Sequence, residues 1–130
     1  MSIESRRRIF RHFAETARPP ALAPQEAAAL AAEHAVVLDE AGAVAFANPF
    51  AAGPADYRVT TSVRTYSAVC VWDALGVAAA LAQNATIDTR CPDCGDDLRL
   101  TVDNGKLDPS AYVVHFLVPA MNWYDDLGFT

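Results

Sequence analysis

The chain has 130 residues and a mass of 13.9 kDa, which is the size of one domain. It is 52 % hydrophobic and 20 % charged, enough apolar material for a buried core, and this composition excludes an intrinsically disordered chain. The formal net charge of -6 makes the surface repel phosphate backbones and anionic membranes, so we expect neither nucleic acid nor a membrane as a partner.

The sequence shows neither a signal peptide nor a run of apolar residues long enough to span a membrane. The arginines near the start are not followed by an apolar stretch of signal-peptide length, and no run of about 18 apolar residues occurs. We therefore expect a cytoplasmic protein. Its cysteines, Cys70, Cys91 and Cys94, are odd in number, which favours free or metal-bound thiols over a secreted disulfide framework.

The first half of the chain predicts two helices and a hairpin. Residues 4–17 place Ile9, Phe10 and Phe13 on one side of an amphipathic helix. After Pro24, residues 25–34 are strong helix formers, and 35–50 form two apolar runs joined by a turn. This order resembles a winged-helix unit that is shortened, because the usual third helix is absent or very short.

The second half predicts a central helix and several strands. Residues 57–66 alternate as a strand does, and 67–83 are almost continuously apolar without an internal proline, which predicts a buried helix. Three further strands are expected at 84–90, 96–102 and 111–119.

These elements together predict an α+β fold. We expect a shortened winged-helix-like unit over residues 1–50, followed over 51–130 by a central helix packed on a mainly antiparallel sheet of about four strands. Both units are expected within one compact domain.

Cys70 and Asp73 form the first candidate site. Three residues apart on the predicted central helix, they lie on one face of it. A thiolate there can bind a soft metal while the carboxylate moves a proton, and a buried aspartate is costly unless it has a partner. The alternative is a small core cysteine beside an aspartate that caps or pairs locally.

Cys91 and Cys94 form a CxxC turn, the half-site by which two sulfurs can bind one zinc. A closed tetrahedral site would need further ligands from Cys70, His115, an aspartate or another chain. A redox dithiol and two structural thiols open to a soft metal are the alternatives, although the strand predicted after Cys94 differs from the helix of thioredoxin-like motifs.

His115 and Asp125 are weaker candidates. His115 falls in the predicted strand 111–119, where a histidine that is hydrogen-bonded on a half-buried sheet competes with a metal-binding or proton-transfer role. Asp125 lies beside aromatic residues and would be a helix start, part of an acidic rim, or a functional carboxylate that adds an oxygen ligand.

Taken together, these motifs resemble the bacterial organomercurial (alkylmercury) lyase family. The matching pieces are NPF at 48–50, YSAVCVWDALG at 66–76, RCPDCG at 90–95, VVHFLVPA at 113–120 and WYDDLGFT at 123–130. The most specific element is the Cys-x-x-Asp motif at Cys70 and Asp73, followed by the further cysteine Cys91.

The resemblance implies an enzyme that cleaves carbon–mercury bonds by protonolysis with two cysteines, an aspartate and no organic cofactor. Cys70 would be the first mercury-binding cysteine and Asp73 the carboxylate that handles the proton, with mercury as substrate or product. The family's second cysteine lies near residues 123–130 or just beyond, where this sequence has none, so we expect a short divergent member that lacks it or a sequence that ends just before it.

Three readings of the function follow. In the first, Cys70 and Asp73 capture an organomercurial and protonate its carbon. In the second, a non-catalytic relative binds mercury, zinc or copper through Cys70, Cys91 and Cys94. These two expect a small organometallic compound or a metal ion as the partner. In the third, the chain is an interaction module whose cysteines are structural. In the absence of the second cysteine, Cys91, Cys94 or Asp125 would have to supply the additional mercury ligand.

Overall fold

Over the residues that it describes, 3–110 and 112–126, the computed structural model has three α-helices and one eight-stranded sheet. The helices are α1 (Ile3–Thr16), α2 (Pro24–Ala32) and α3 (Val71–Leu81). The strands are β1 (Val37–Leu38), β2 (Val44–Ala47), β3 (Phe50–Ala51), β4 (Tyr57–Thr60), β5 (Thr65–Ala68), β6 (Ala85–Arg90), β7 (Asp97–Asp103) and β8 (Lys106–Leu107).

The sheet has the order β1-β2-β3-β5-β4-β6-β7-β8, and all of its described pairs are antiparallel. The predicted α+β class, with a helix packed on an antiparallel sheet, is therefore confirmed. The expected number of about four strands was too low, because short strands flank the longer ones.

The single strand predicted over 57–66 was wrong, because this segment contributes to the hairpin of β4 and β5. Thr61 makes the turn: its hydroxyl accepts hydrogen bonds from the amides of Val63 and Arg64, each at 3.2 Å, and donates one to the Arg64 carbonyl at 3.0 Å. A hydroxyl that bonds to the nearby backbone favours a turn over a continued strand.

Helix α3 is shorter than the predicted 67–83. Its N-terminal part was wrong because Ser67 and Ala68 belong to β5. Its small residues allow a close approach to the neighbouring chain: a Cβ added at Gly76 would lie 3.2 Å from the Cβ of Pro49. The helix buries Ala74, Val77 and Ala78, so one face packs on the sheet and the other remains outside.

Helix α1 packs on the sheet as its amphipathic pattern predicts, with Ile9 and Phe13 buried. The Phe13 ring stacks on Phe50 of β3 at 5.3 Å between centroids, and the Tyr66 hydroxyl donates to the Ala14 carbonyl at 2.6 Å. These contacts attach the C-terminal half of α1 to the middle of the sheet.

The predicted hairpin at 35–50 is present as β1 and β2, and it belongs to the same sheet as the later strands. A core cluster of buried residues likewise includes side chains from both parts of the chain. The winged-helix-like character of the N-terminal unit, and the division at residue 50, stay predictions.

The strand predicted at 111–119 was wrong over the described residues 112–119, which have no regular secondary structure. Residue 111 lies outside the described residues. The chain leaves the sheet after β8, where the Asp108 amide donates to the Thr101 carbonyl at 2.9 Å. Pro109 follows and has no N–H for a further ladder bond, so the apolar residues beyond it pass over the surface.

Among the described residues, no helix is both long and apolar enough to cross a membrane.

Phe50 is the aromatic residue on which the packing of α1 depends, since it is 1 % exposed and contacts the rings of Phe10, Phe13 and Tyr66. We expect Phe50→Ala to lower the free energy of unfolding by about 3–5 kcal/mol, because it leaves a cavity. Phe10→Ala is the matched control, and its half-buried ring should cost less in urea unfolding. Equal losses would contradict this account of the core.

Candidate active site

Cys70 lies at the point where strand β5 ends and helix α3 begins. It is the N-cap of α3, with extended backbone angles, and its sulfur accepts a hydrogen bond from the Asp73 amide at 3.4 Å. The expectation that Cys70 lies within the helix was therefore wrong by one position. Its side chain accepts a hydrogen bond from the third amide of the helix, which has no partner within the helix, and so the helix begins directly after Cys70.

Asp73 lies in the first turn of α3 and is 9 % exposed, the one charged residue among the buried side chains of the described chain. Burial raises the pKa of its carboxyl above the ordinary value, and the hydrogen bond from the Cys70 thiol opposes that rise. The carboxyl therefore retains a proton at a higher pH than an exposed aspartate does.

The Cys70 thiol also has a raised pKa. Burial is the largest cause, the hydrogen bond from the Asp73 amide opposes it, and the negative charge of Asp73 adds to it. Burial raises the pKa values of both the thiol and the carboxyl, and each group shifts the pKa of the other, so one proton can move between them.

A cleft of about 590 Å³ opens in front of Cys70. Its walls come from the start of β4, from the junction of β5 and α3, from the loop between β6 and β7, and from the C-terminal segment. The lining residues are 56–57, 69–72, 90–92, Gly95 and 114–117. The fold thus brings Cys70, Cys91 and His115 to one cavity.

The CxxC residues lie in the loop that joins β6 to β7. The Cys91 amide donates to the Asp96 carbonyl and the Gly95 amide to the Cys91 carbonyl, both at 2.8 Å. Gly95 has a φ of +78°, which a residue with a Cβ rarely adopts. These bonds close a tight turn, so Cys91 lines the cleft while Cys94 is exposed and does not.

The two thiols of this turn differ in acidity. Hydrogen bonds from the backbone amides of Cys94 and Asp93, and then from the Cys94 thiol, lower the pKa of Cys91. The pKa of Cys94 is raised: the backbone hydrogen bond from Asp96 opposes the change, but the interaction with Cys91 and the other surroundings outweigh it. Cys91 is thus the more acidic thiol of the turn.

Tyr57 is a cleft residue that the sequence analysis missed. Burial raises the pKa of its phenol, and the negative charge of Cys70 adds to that rise, so the hydroxyl stays neutral beside the thiols. Only its place at the start of an alternating strand marked it in the sequence. Pairing of β4 with β5 sets Tyr57 opposite Ala68, two residues before Cys70.

The C-terminal segment supplies the apolar wall of the cleft. The rings of Trp72 and Phe116 meet edge to face at 6.1 Å, and Phe116 stacks on Trp123 at 5.2 Å. Further along, Tyr124 stacks on His34 at 4.5 Å. His115 lines the cleft from this segment as an exposed residue, and not from a sheet strand as predicted.

The structure does not bring all of the predicted ligands together. Asp125 is outside the cleft lining and accepts a hydrogen bond from the Asn122 side-chain amide at 3.0 Å. Within residues 3–110 and 112–126, no group of three or more His, Cys, Asp or Glu side chains is placed to hold a metal ion. The four-ligand zinc site expected at Cys91 and Cys94 is therefore not supported.

A thiol that lines a partly apolar cleft, with a buried carboxyl beside it, can bind a soft electrophile and take part in proton transfer to it. Comparison with known protein families narrows this class to one family. The model of the alkylmercury lyase family (MerB) matches residues 50–129. The chain belongs to this family, and the resemblance inferred from its motifs is confirmed.

A solved structure gives the same result. The crystal structure of the mercury-bound form of MerB2 is similar to this chain, with a TM-score of 0.55 and 26 % sequence identity over 65 % of this chain and 41 % of that one. This chain thus spans about two fifths of the length of that relative. None of the curated proteins matches it.

The different acidities of the thiols predict an order of alkylation. At pH 7, iodoacetamide should modify Cys91 several-fold faster than Cys70, because the thiolate fraction falls faster with rising pKa than the nucleophilicity rises. Peptide mass spectrometry after timed quenching measures the three rates separately. In urea the rates should converge, and a native Cys70 that reacts first would contradict the assigned directions.

Proposed function

We propose that the protein cleaves carbon–mercury bonds of small organomercurials, with Cys70 as the mercury-binding thiol and Asp73 as the group that protonates carbon. The observation that carries this proposal is the buried Asp73 carboxyl beside the Cys70 thiol, which accepts a hydrogen bond from the Asp73 amide and lines a partly apolar cleft. Membership of the alkylmercury lyase family supports it.

The first step would be capture. The Cys70 thiol passes its proton to the Asp73 carboxylate, and the resulting thiolate attacks mercury and displaces its inorganic ligand as an anion. Because burial raises the pKa of Asp73, the carboxyl is suited to hold this proton while the organomercurial is bound.

The second step would be protonolysis. The proton on Asp73 is transferred to the carbon bound to mercury, the carbon–mercury bond breaks and the hydrocarbon leaves. The Asp73 carboxylate then balances the charge of the mercury(II) ion that remains on Cys70. No electrons are gained or lost, so the step needs neither an oxidant nor an organic cofactor.

The organic group of the substrate would lie against the apolar wall. Val114, Phe116 and Leu117 face the cleft on one side and Trp72 on another. The volume of about 590 Å³ falls in the range of small-molecule sites, and the apolar wall is suited to an aryl or short alkyl group. The net charge of -6 keeps nucleic acid disfavoured as a partner, and a cytoplasmic location remains our expectation.

Asp73→Asn separates capture from cleavage. In a single turnover with phenylmercuric acetate, the variant should release benzene about 10²–10⁴-fold more slowly, because the amide cannot supply the proton. It should still bind one mercury on Cys70. Gas chromatography measures benzene, and mass spectrometry of the intact chain measures bound phenylmercury.

Cys70→Ala is the matched control, and it should lose benzene release together with the phenylmercury that peptide mass spectrometry locates on Cys70 in the wild type. Unfolding at pH 8 tests the fold of the Asp73→Asn variant. Because the folded-state pKa of Asp73 is raised, its stabilising contribution is full at low pH and is lost as the pH rises through that pKa. The variant should therefore be at least as stable as the wild type at pH 8. Benzene release at the wild-type rate would refute the role given to Asp73.

Phe116→Ala tests the apolar wall. Removing this ring, which is 40 % exposed, should raise KM for phenylmercuric acetate about 10-fold or less and leave KM for methylmercury nearly unchanged, since an apolar contact is worth about 1–2 kcal/mol. Steady-state assays with both substrates measure the ratio. An equal change for both would show that the ring does not contact the organic group.

A non-catalytic relative that only binds mercury is the second candidate. The observation that favours it is the presence of Cys91, a thiol of lowered pKa, in the same cleft as Cys70, because two thiols can hold a soft metal without any proton transfer to carbon. Bound phenylmercury without benzene release from the wild type would decide for this alternative.

A further inference from the structure

The loop between β6 and β7 carries two reduced thiols that the proposed cleavage does not use. We infer that Cys91 and Cys94 form a second mercury(II) site, which takes the inorganic ion from Cys70 after the organic group has left. The existence of this site is independent of the proposed function, whereas its use as an acceptor rests on it.

The geometry of the loop holds both thiols together. The hairpin closes where Arg90 pairs with Asp97, and the two backbone hydrogen bonds of 2.8 Å inside the loop fix its turn. In this turn the Cys91 and Cys94 side chains are close enough to shift each other's pKa. A chelate of this kind is preorganised, so little conformational freedom is lost when a metal bridges the sulfurs.

The number of ligands selects the kind of metal. Zinc in a structural site takes four protein ligands, and the described residues offer no group of three or more. Mercury(II) is a soft ion that is satisfied by two thiolates in linear coordination, and soft thiolate ligands favour soft metals. A two-thiol turn without further ligands is therefore suited to mercury(II) rather than to zinc.

The positions of the two thiols indicate the direction in which a bound ion would move. Cys91 lines the cleft together with Cys70, whereas Cys94 is exposed and outside the lining. An ion that moves from Cys70 to Cys91 and then also binds Cys94 would pass from the cleft toward solvent, where external thiols can remove it.

The transfer is a thiol exchange at mercury without redox chemistry. The Cys91 sulfur first binds the ion held by Cys70 and displaces its other ligand, with the Cys91 proton leaving on that ligand or to water. The Cys94 sulfur then replaces Cys70, and its proton returns the Cys70 sulfur to the thiol. The products are mercury bridged between Cys91 and Cys94 and a free Cys70 thiol.

The site itself is tested with mercuric chloride and the full chain carrying Cys70→Ser. We expect this variant to bind one mercury per chain with two sulfur ligands in X-ray absorption spectra. The Cys70→Ser/Cys94→Ser variant should show one protein sulfur, and a competing monothiol should remove its mercury about 10²-fold more readily, because the chelate is lost. Cys94 is exposed, so its replacement should leave the fold intact, as circular dichroism would verify.

Cys70→Ser/Cys91→Ser is a second variant that should behave in the same way. Retention of two-sulfur coordination in either double variant would overturn the proposed site, and so would a single sulfur in Cys70→Ser. Inorganic mercury bypasses carbon–mercury cleavage, so these results stand whether or not benzene is released in the lyase assay.

The transfer is tested on the wild type loaded with one equivalent of mercuric chloride. Iodoacetamide should then alkylate Cys70, while Cys91 and Cys94 are protected. Protection of Cys70 with alkylation of Cys94 would overturn the transfer, since the ion would have stayed on the cleft thiol.

Discussion

The hydrogen bond from the Asp73 amide to the Cys70 sulfur is the contact on which the candidate site depends. It forms where strand β5 gives way to helix α3, so the sulfur is fixed by the start of a helix whose other residues pack on the sheet. A thiol held in this way cannot swing into solvent without uncapping the helix. The same first turn buries the Asp73 carboxyl beside it, and position and protonation state therefore have one structural origin.

Burial of the Asp73 carboxyl destabilises the folded chain, and packing elsewhere in the fold offsets this cost. Burial of a carboxyl that is 9 % exposed disfavours its charged form in the folded chain. The buried face of α3 and the aromatic contacts around Phe50 supply apolar packing that offsets this cost. A destabilised group that is retained beside a cleft thiol is typical of sites where a proton is transferred.

Much of this architecture could be predicted from the sequence. The amphipathic helix α1, the helix after Pro24, the first hairpin and strands β6 and β7 all follow from periodicity and turn residues, which act locally. The Cys-x-x-Asp spacing also revealed the thiol–carboxyl pair, although not the capping role of Cys70, because the spacing is the same inside a helix and at its start.

The incorrect predictions concern features that depend on contacts between residues far apart in the sequence. The segment at 111–119 is as apolar as a strand, yet a strand needs an edge to pair with, and Pro109 directs the chain away from the sheet. Tyr57 lies in the cleft because β4 pairs with β5, and no local sequence pattern indicates which strands pair. Cys91 lines the same cleft as Cys70 because of the order of the whole sheet, and the spacing of the two cysteines in the sequence does not give the distance between them.

The two sides of the cleft differ in how they are attached to the fold. The thiol–carboxyl pair lies at the start of a helix that packs on the core, whereas the apolar wall comes largely from exposed residues of the C-terminal segment, such as Phe116 at 40 % exposure, together with Trp72 of α3 at 59 %. Substitutions in such a wall cost little folding energy. The shape of the cleft can therefore change through substitutions in this wall while the thiol and the carboxyl remain in place.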